Sequence, residues 1–376
     1  MVKQKQRGHG EGSIYRRKDG RWAASITLEG RKRKTLYGKT RKEVYEKLQE
    51  ALRDQKQGTL VRGTKQTLKQ YLEYWLEDVH KPTIKITSYV KYRKLLNKHI
   101  LPALGHILVQ SLSPQQVQDF YTGKVKEGLS ASVVAAIHGL LHNALDNAVR
   151  WNLVSRNVCD VVSLPRSAKR EVQTLTKEQA QHLLEVARGH QLEGLLMVAL
   201  TTGMRHGELA ALRWNDINFD NSSLHIHRNV SYLAKYGFVE SEPKTVRSRR
   251  KIILPHFVVD ALKRHRENQD ETRMKAGDTW YDLDLVFCNS YGRFLNPDAL
   301  LRSFHKLLAE AELPQMRLHD LRHSAATILL TMGAHPKVVQ EILGHSQISM
   351  TMDTYSHVLP SMQRETMEKL NDLFEG

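Results

Sequence analysis

Four stretches in the second half of the chain carry polar side chains that a packed core would not request. "TTGMRHGELAALRWNDI" (201–217) sets Arg205 beside Gly203, a helix break whose neighbouring N–H groups attract anions. "ESEPKTVRSRRKIILP" (240–255) puts Lys244 in a basic turn leading into a strand, with Lys235 of "LAKYG" as its rival. "LHDLRHSAATILLTMGAH" (318–335) crowds His319, Arg322 and His323 at the start of an apolar run. "QEILGHSQISMTMDTYSHV" (340–358) places His345 just past Gly344, with Tyr355 ten residues on.

Together these groups suit displacement at phosphorus. Two arginines can hold the non-bridging oxygens of a phosphodiester through fork-like charge-assisted bonds. A lysine can protonate a departing alkoxide, and two histidines can pass protons near neutral pH. A phenol, with a free pKa of about 10, can attack phosphorus where cations favour its ionised form. No acidic trio able to hold two magnesium ions stands around the cluster, so side-chain cations have to neutralise the transition state. "HDLRH" has the i, i+4 histidines of a zinc helix but lacks the glutamate of HExxH, and no third ligand stands at a recognisable spacing. Neither a metal nor another cofactor is expected.

The elements that must position these groups are readable in outline. At about 100° per residue, Arg322 and His323 fall within about 60° of His319, while Leu321, Ala325, Ile328 and Met332 fall on the opposite side. A helix starting near 319 thus presents the polar trio on a face that packing does not require. Glu208, Leu209 and Leu212 open the helix after Gly203, and Gly344 is the expected stop before His345. Tyr355 is expected on or beside a short following helix. "TKEQ" at 176–179 is a capping box. Helices are expected over roughly 177–188 and 191–201, hairpin strands between 222 and 255, and helices again from 256.

Upstream, the pattern changes twice. After a linker-like "KQGTLVRGTK", a helical run begins with a stripe of Leu68, Tyr71, Leu72, Trp75 and Leu76. "SYVKYRKLLNKHILPALG" is expected to end at Pro102 and Gly105, Ser113-Pro114 caps another helix, and Val133, Ile137, Leu141 and Leu145 mark a third. Its polar faces repeat Lys85, Lys91, Arg93, Lys94, Lys98 and Lys124. In residues 1–60, "GSIYRRKDGRWAASITLEGRKRKTLYG" reads as three short strands with turns at Asp19-Gly20 and Glu29-Gly30. An amphipathic helix with Val44, Leu48 and Leu52 follows. Arg16, Arg17, Arg21, Arg31, Lys32, Arg33 and Lys34 make that small sheet basic enough to lie along a DNA groove.

The net charge of +17 on a chain of 376 residues favours a polyanionic partner, nucleic acid before membrane. Residues 1–60 alone carry 17 lysines and arginines against 7 acidic residues, so the excess is concentrated there. Cys159 and Cys288 lie far apart, form no CxxC, and read as small buried hydrophobes in a reducing compartment. The opening "MVKQKQRGHGEG" leads into no apolar stretch, so no signal peptide is expected, and no apolar run is long enough for a membrane span.

Taken in order, "TTGMRHGEL", "EPKTVRSRRKIILP", "HDLRHSAATILLTMG" and "VQEILGHSQISMTMDTYSHV" resemble the active-site segments of the tyrosine recombinases, in particular integrases of phages and conjugative elements. The resemblance implies Arg205, Lys244 (rather than Lys235), His319, Arg322, His345 and Tyr355 as the catalytic set, with Glu208 and Asp320 orienting neighbouring cations. It implies a multidomain fold: a three-stranded sheet plus helix, an all-α domain, and a mainly α catalytic domain with a small antiparallel sheet. The corresponding units are an arm-type DNA-binding domain (1–60), a helical core-binding domain (61–165) and the catalytic domain with its tail (166–376). Lys91 and Lys94 join the sheet's basic residues as DNA contacts.

The implied activity is metal-free strand exchange through a 3′-phosphotyrosine and a Holliday junction, integrating and excising a mobile element in a bacterial cytoplasm. The implied partners are duplex attachment sites, of core and arm type, and three further copies in a DNA-bound homotetramer. An excision factor and a host DNA-bending protein belong to the same picture. The tail stripe of Met362, Met367, Leu370, Leu373 and Phe374 either docks on its own domain or exchanges between protomers. A type IB topoisomerase is disfavoured by the arm-like unit and by histidine at 319, and a catalytically dead regulator by the filled six-residue set.

Overall fold

The computed structural model describes residues 13–27, 33–56, 66–166, 173–242 and 249–345, together with Met367 and Phe374. The chain divides into two compact units, Met1–Lys169 and Arg170–Gly376.

The first unit begins with an antiparallel sheet of β1 (Ser13–Arg16), β2 (Trp22–Thr27) and β3 (Arg33–Gly38) in that order, followed by α1 (Arg41–Lys56). Gly20, at φ +81°, closes the Asp19-Gly20 turn, where Gly20 N donates to Arg17 O at 3.0 Å. The expected Glu29-Gly30 turn, with Arg31 and Lys32, lies outside the described residues. Ile14, Ala24 and Leu36 are cross-strand neighbours and pack with Trp22 and Ile26 on Val44 and Leu48 of α1. The pleat turns alternate residues to the other face, so the basic residues do not form one row. Arg33 shares the open face with Tyr15 and Tyr37, whereas Arg16 and Lys34 have the parity of the helix-facing residues. Arg17 lies over the Tyr37 ring at 5.3 Å, and Arg21 is held by Asp19 at 2.9 Å.

The helical part has its own apolar core. α2 (Leu68–Tyr74) opens on a capping box of Thr67 and Gln70 and buries Leu68, Tyr71 and Leu72, with Trp75 and Leu76 continuing the stripe. The Tyr71 hydroxyl donates to Ala144 O at 2.5 Å, inside the core. α3 (Ile86–Leu95) does not stop at Pro102: a π-helical turn, Leu96–Ile100, carries it into α4 (Leu101–Leu104), and Gly105 ends it. Proline lacks the N–H of an α-helical bond and crowds the carbonyl four residues back, a conflict that the wider π-turn accommodates. α5 (Pro114–Lys126) starts at the Ser113 cap, and α6 (Ala131–Arg150) buries a stripe wider than expected, from Val134 to Ala148, with Val133 half-buried. Lys91 and Lys94 are exposed, while Arg93 pairs with Glu77 and Lys124 with Glu127.

The second unit is built around α8 (Glu193–Thr202), which is buried on nearly every side, as its low amphipathicity demands. α7 (Lys177–Val186), capped by Thr176 and Gln179, precedes it, and α9 (His206–Ala210) follows. β4 (Ile217–Asn218), β5 (Ser223–Ile226) and β8 (Arg250–Ile253) form a small antiparallel sheet, and β6 (Asn229–Leu233) pairs with β7 (Gly237–Ser241) as a hairpin. α10 (His256–Ala276), α11 (Pro297–Glu310), α12 (Asp320–Thr331) and α13 (Pro336–Leu343) complete it. Cys159 is buried and Cys288 half-buried, both as free thiols. Among the described residues, no helix is long and apolar enough to cross a membrane.

Candidate active site

The site forms where three helix ends meet. α8 stops at Gly203, whose φ of +57° closes the helix in the left-handed region. A Cβ at Gly203 would stand 2.4 Å from Leu343 Cδ2, so this turn needs glycine for space as well as for backbone angle. The reversal delivers Arg205 to the N-cap of α9, where Glu208, three residues on, reaches back. The Glu208 carboxylate accepts from Arg205 N at 2.9 Å and from Arg205 Nη1 at 2.8 Å. Glu208 is 3% exposed, and burial alone would push its acidity down. The guanidiniums of Arg250 and Arg205 outweigh that and hold it below the usual carboxylate range.

Arg322 departs from the expected open face. Its residue is 3% exposed, whereas Met332, expected on the packed side, is 69% exposed. The physical reason is that α12 packs on two sides. Leu321 joins the main core, while Ala326 and Leu330 bury against Val339 and Leu343 of α13, enclosing the side on which Arg322 lies. A buried guanidinium must have its donors met. Arg322 Nη1 donates to Gly203 O at 2.6 Å and Nη2 to Leu343 O at 2.7 Å.

α13 ends at Gly344, φ +66°, and His345 N returns to Gln340 O at 3.1 Å. The last carbonyls of a helix are orphaned and carry partial negative charge, and here four successive carbonyls, the last two of α13 and the two that follow, are each met by a side chain. Ile342 O accepts from Arg250 Nε at 2.5 Å, Leu343 O from Arg322, Gly344 O from Arg205 Nη2 at 3.5 Å, and His345 O from Gln340 Nε2 at 3.0 Å. One helix end thereby gathers three guanidiniums.

Two imidazoles belong to the same cluster. His319 caps α12 and meets His323 edge-on, with ring centroids 5.4 Å apart. Burial, then the charges of His323, Arg322 and Arg205, push His319 down to about 4. His345 is pushed down to about 4 as well, by burial and then by Arg322 and Arg205. His323 is lowered chiefly by burial. Both candidate histidines are therefore neutral imidazoles at neutral pH, able to take a proton on one nitrogen and donate from the other.

Four of the six candidates, Arg205, His319, Arg322 and His345, thus converge. Lys244 and Tyr355 lie outside the described residues. Lys235 is exposed in the turn between β6 and β7. Glu208 orients two arginines, whereas Asp320 holds Arg317 at 2.7 Å and makes no such bond to the cluster's arginines among the described residues. Two participants escaped the sequence reading. Arg250 sits in the basic run "RSRRK", but the alternation of "RKIILP" gives it the parity of buried Ile252 and Leu254. Gln340 is 5% exposed on the packed stripe of α13 beside Val339 and Leu343. A metal-type grouping occurs elsewhere: His142, Asp146 and Asp160 bring ligand atoms within 4.8 Å of one another, with His142 Nε2 hydrogen-bonded to Asp160 at 2.9 Å and Nδ1 3.4 Å from Asp146.

Comparison with known proteins gives the family. The phage integrase family model matches residues 173–362, and a model of the phage integrase N-terminal SAM-like domain matches residues 67–125. A "Tyrosine recombinase XerC-like" protein of Caldanaerobacter subterraneus subsp. tengcongensis is 31% identical, covering 82% of this chain and 83% of its own. The fold is similar to that of the Tn1549 transposon integrase solved with circular intermediate DNA (TM-score 0.67, 22% identity, 81% of this chain and 99% of that one). It is also similar to a lambda integrase dimer bound to a COC′ core site (TM-score 0.56, 17% identity, 93% and 96%). On the family match and the identity to that relative, the chain belongs to the phage integrase family, the tyrosine-type enzymes of site-specific DNA recombination and integration.

Proposed function

We propose that this chain integrates and excises a mobile element by cleaving and rejoining duplex DNA through a 3′-phosphotyrosine on Tyr355. The observation that carries the reading is the convergence of Arg205, Arg322, His319 and His345 on one helix end. Fixed cations of this kind stabilise the negative charge of a five-coordinate phosphorus without reorganising as it forms. The Tyr355 oxygen attacks the scissile phosphorus and the bond to the 5′-oxygen breaks. His319, neutral before DNA arrives, takes the phenol proton, Lys244 supplies a proton to the departing 5′-oxygen, and His345 donates a hydrogen bond to a phosphate oxygen. The 5′-hydroxyl of a partner strand reverses these steps on the phosphotyrosine. One phosphodiester is exchanged for another, so no nucleotide is consumed, and two rounds of exchange pass through a Holliday junction.

The division of labour proposed with it follows the charge of the sequence. Residues 1–60 bind arm-type sites, 61–165 the core site with Lys91 and Lys94 on phosphates, and 166–376 carry the chemistry. Four copies assemble on two duplexes. Met367 and Phe374, 51% and 80% exposed, leave apolar surface in the tail for a neighbouring protomer.

The test is a nicked suicide duplex bearing the chain's crossover sequence. Wild-type protein is expected to form a covalent adduct that maps to Tyr355 and then to join the strand to a second duplex. Tyr355→Phe is expected to bind with unchanged affinity and to form no adduct; an adduct in that variant removes Tyr355 as nucleophile. Adduct without joining to a second duplex, together with relaxation of a supercoiled plasmid, points to a topoisomerase instead.

A further inference from the structure

Arg250 has no part in the steps just described, yet it is built into the same cluster. Its side chain is 6% exposed, while its neighbours Arg249 and Lys251 on the same strand edge are exposed. Nη2 and Nη1 donate to the two oxygens of Glu208 at 3.0 and 3.4 Å, and Nε donates to Ile342 O at 2.5 Å. Glu208 turns the same two oxygens to Arg205, so its acceptor capacity is fully used by the two arginines and the Arg205 backbone. One planar fork thereby joins β8, α9 and the end of α13.

A buried ion pair is a weak source of stability, because desolvation offsets most of the attraction. Arg250 does more than pair. Its third bond goes to the carbonyl immediately before the two that receive Arg322 and Arg205. Remove that bond and Glu208 reaches the helix end only through Arg205, whose contact with Gly344 O is long at 3.5 Å, so the two guanidiniums on it share a looser reference.

We propose that Arg250 is a positioning residue for strand cleavage, fixing Glu208 and the α13 end in the one arrangement that lets Arg205 and Arg322 share a phosphate. The proposal rests on the recombination reading above. Lysine at this position keeps the charge but cannot span Glu208 and Ile342 O with a rigid fork.

The experiment compares wild type and Arg250→Lys in single-turnover cleavage of the suicide duplex, with DNA affinity measured separately. Two substrates are used, one with the normal scissile phosphate and one with a neutral methylphosphonate at that position. On the phosphate, the variant is expected to bind within about 3-fold of wild type, since the net charge is kept. Its cleavage rate should fall about 100-fold, the scale of a small misplacement of catalytic groups. On the methylphosphonate, which lacks the charge the arginines neutralise, the loss should shrink to less than about 5-fold. Equal losses on both substrates, or none on the phosphate, overturn the proposal. Glu208→Leu with Arg250→Met replaces the buried pair by apolar groups and guards against a folding artefact. With a wild-type melting temperature it should still cleave the phosphate slowly, and wild-type cleavage by this folded pair also overturns the proposal. A wild-type chain that forms no adduct removes the recombination reading itself, whereas wild-type adduct with undiminished variants removes only the role of Arg250.

Discussion

Arginine is used in two contrasting ways in this molecule. On the N-terminal sheet Arg16, Arg17, Arg21 and Arg33 are exposed, spread over both faces, and partnered loosely if at all: Arg17 lies over a tyrosine ring and Arg21 leans on Asp19. Around α13, Arg250 and Arg322 are buried and each is bonded to a backbone carbonyl at 2.5–2.7 Å. Surface charge of the first kind is screened by salt and moves on a flexible stem, so its contribution depends on sign and number. Charge of the second kind has a direction fixed by the fold, so its contribution depends on the shape of the guanidinium. The same residue type supplies attraction in one region and geometry in the other.

The sharpest way to break this contrast is to make the same conservative change in both places. Arg322→Lys cannot reach Gly203 O and Leu343 O together, so cleavage should fall by about 10²- to 10³-fold, the cost of removing a preorganised donor from a developing oxyanion. Adduct formation on the suicide duplex measures it. A loss under about 5-fold would mean that charge alone suffices at this position.

Gly203→Ala tests whether the helix end that gathers the arginines is as rigid as the comparison requires. The left-handed backbone costs an alanine about 1–2 kcal/mol. The added carbon must also displace Leu343, which is fully buried and has its Cδ2 2.4 Å away. Overpacking of that kind brings the expected destabilisation to about 2–4 kcal/mol in urea unfolding. A change within about 0.5 kcal/mol, the scatter of surface substitutions, would show that this junction yields easily.

The histidines sharpen the same point through pH. His319 and His345 titrate in the folded chain at about 4, below their unfolded value. Between roughly pH 6.5 and 4 the unfolded chain therefore binds more protons than the folded one, and stability falls as the pH is lowered through that window. The melting temperature should drop by at least about 3 °C from pH 7 to pH 4.5, and His319→Gln should flatten part of the slope. A profile identical in wild type and His319→Gln would place that imidazole in water rather than among cations. No such dependence is expected of the arginine-rich sheet.

What could be read from the sequence divides along the same line. The capping box at Thr176, the Ser113 cap before Pro114, the glycine stops at 203 and 344, and the hairpin at Asp19-Gly20 follow from local chemistry and match the structure. The order of polar motifs gathered the described candidates into one site. The burial of Arg322 was not legible, because a helical wheel treats polar as solvent-facing and its partners are carbonyls 119 and 21 residues away. Arg250 was hidden for a related reason: in a run of basic residues composition is uniform, and only strand parity separates the inward one. Pro102 misled because π-turns have no simple sequence signature.

The smallest effect is the complement of the first. Arg33 is exposed on the open face of the sheet, on the strand that pairs with β2 at Thr27. If that face attracts phosphates by charge, Arg33→Lys should leave affinity for accessory-site DNA within about 3-fold, while Arg33→Ala should weaken it and lower the salt slope by about 1. Binding isotherms over a range of salt concentrations measure both. A lysine variant as impaired as the alanine one would mean that Arg33 reads a base edge through its fork, and the sheet would then use arginine for its shape after all, as the α13 cluster does.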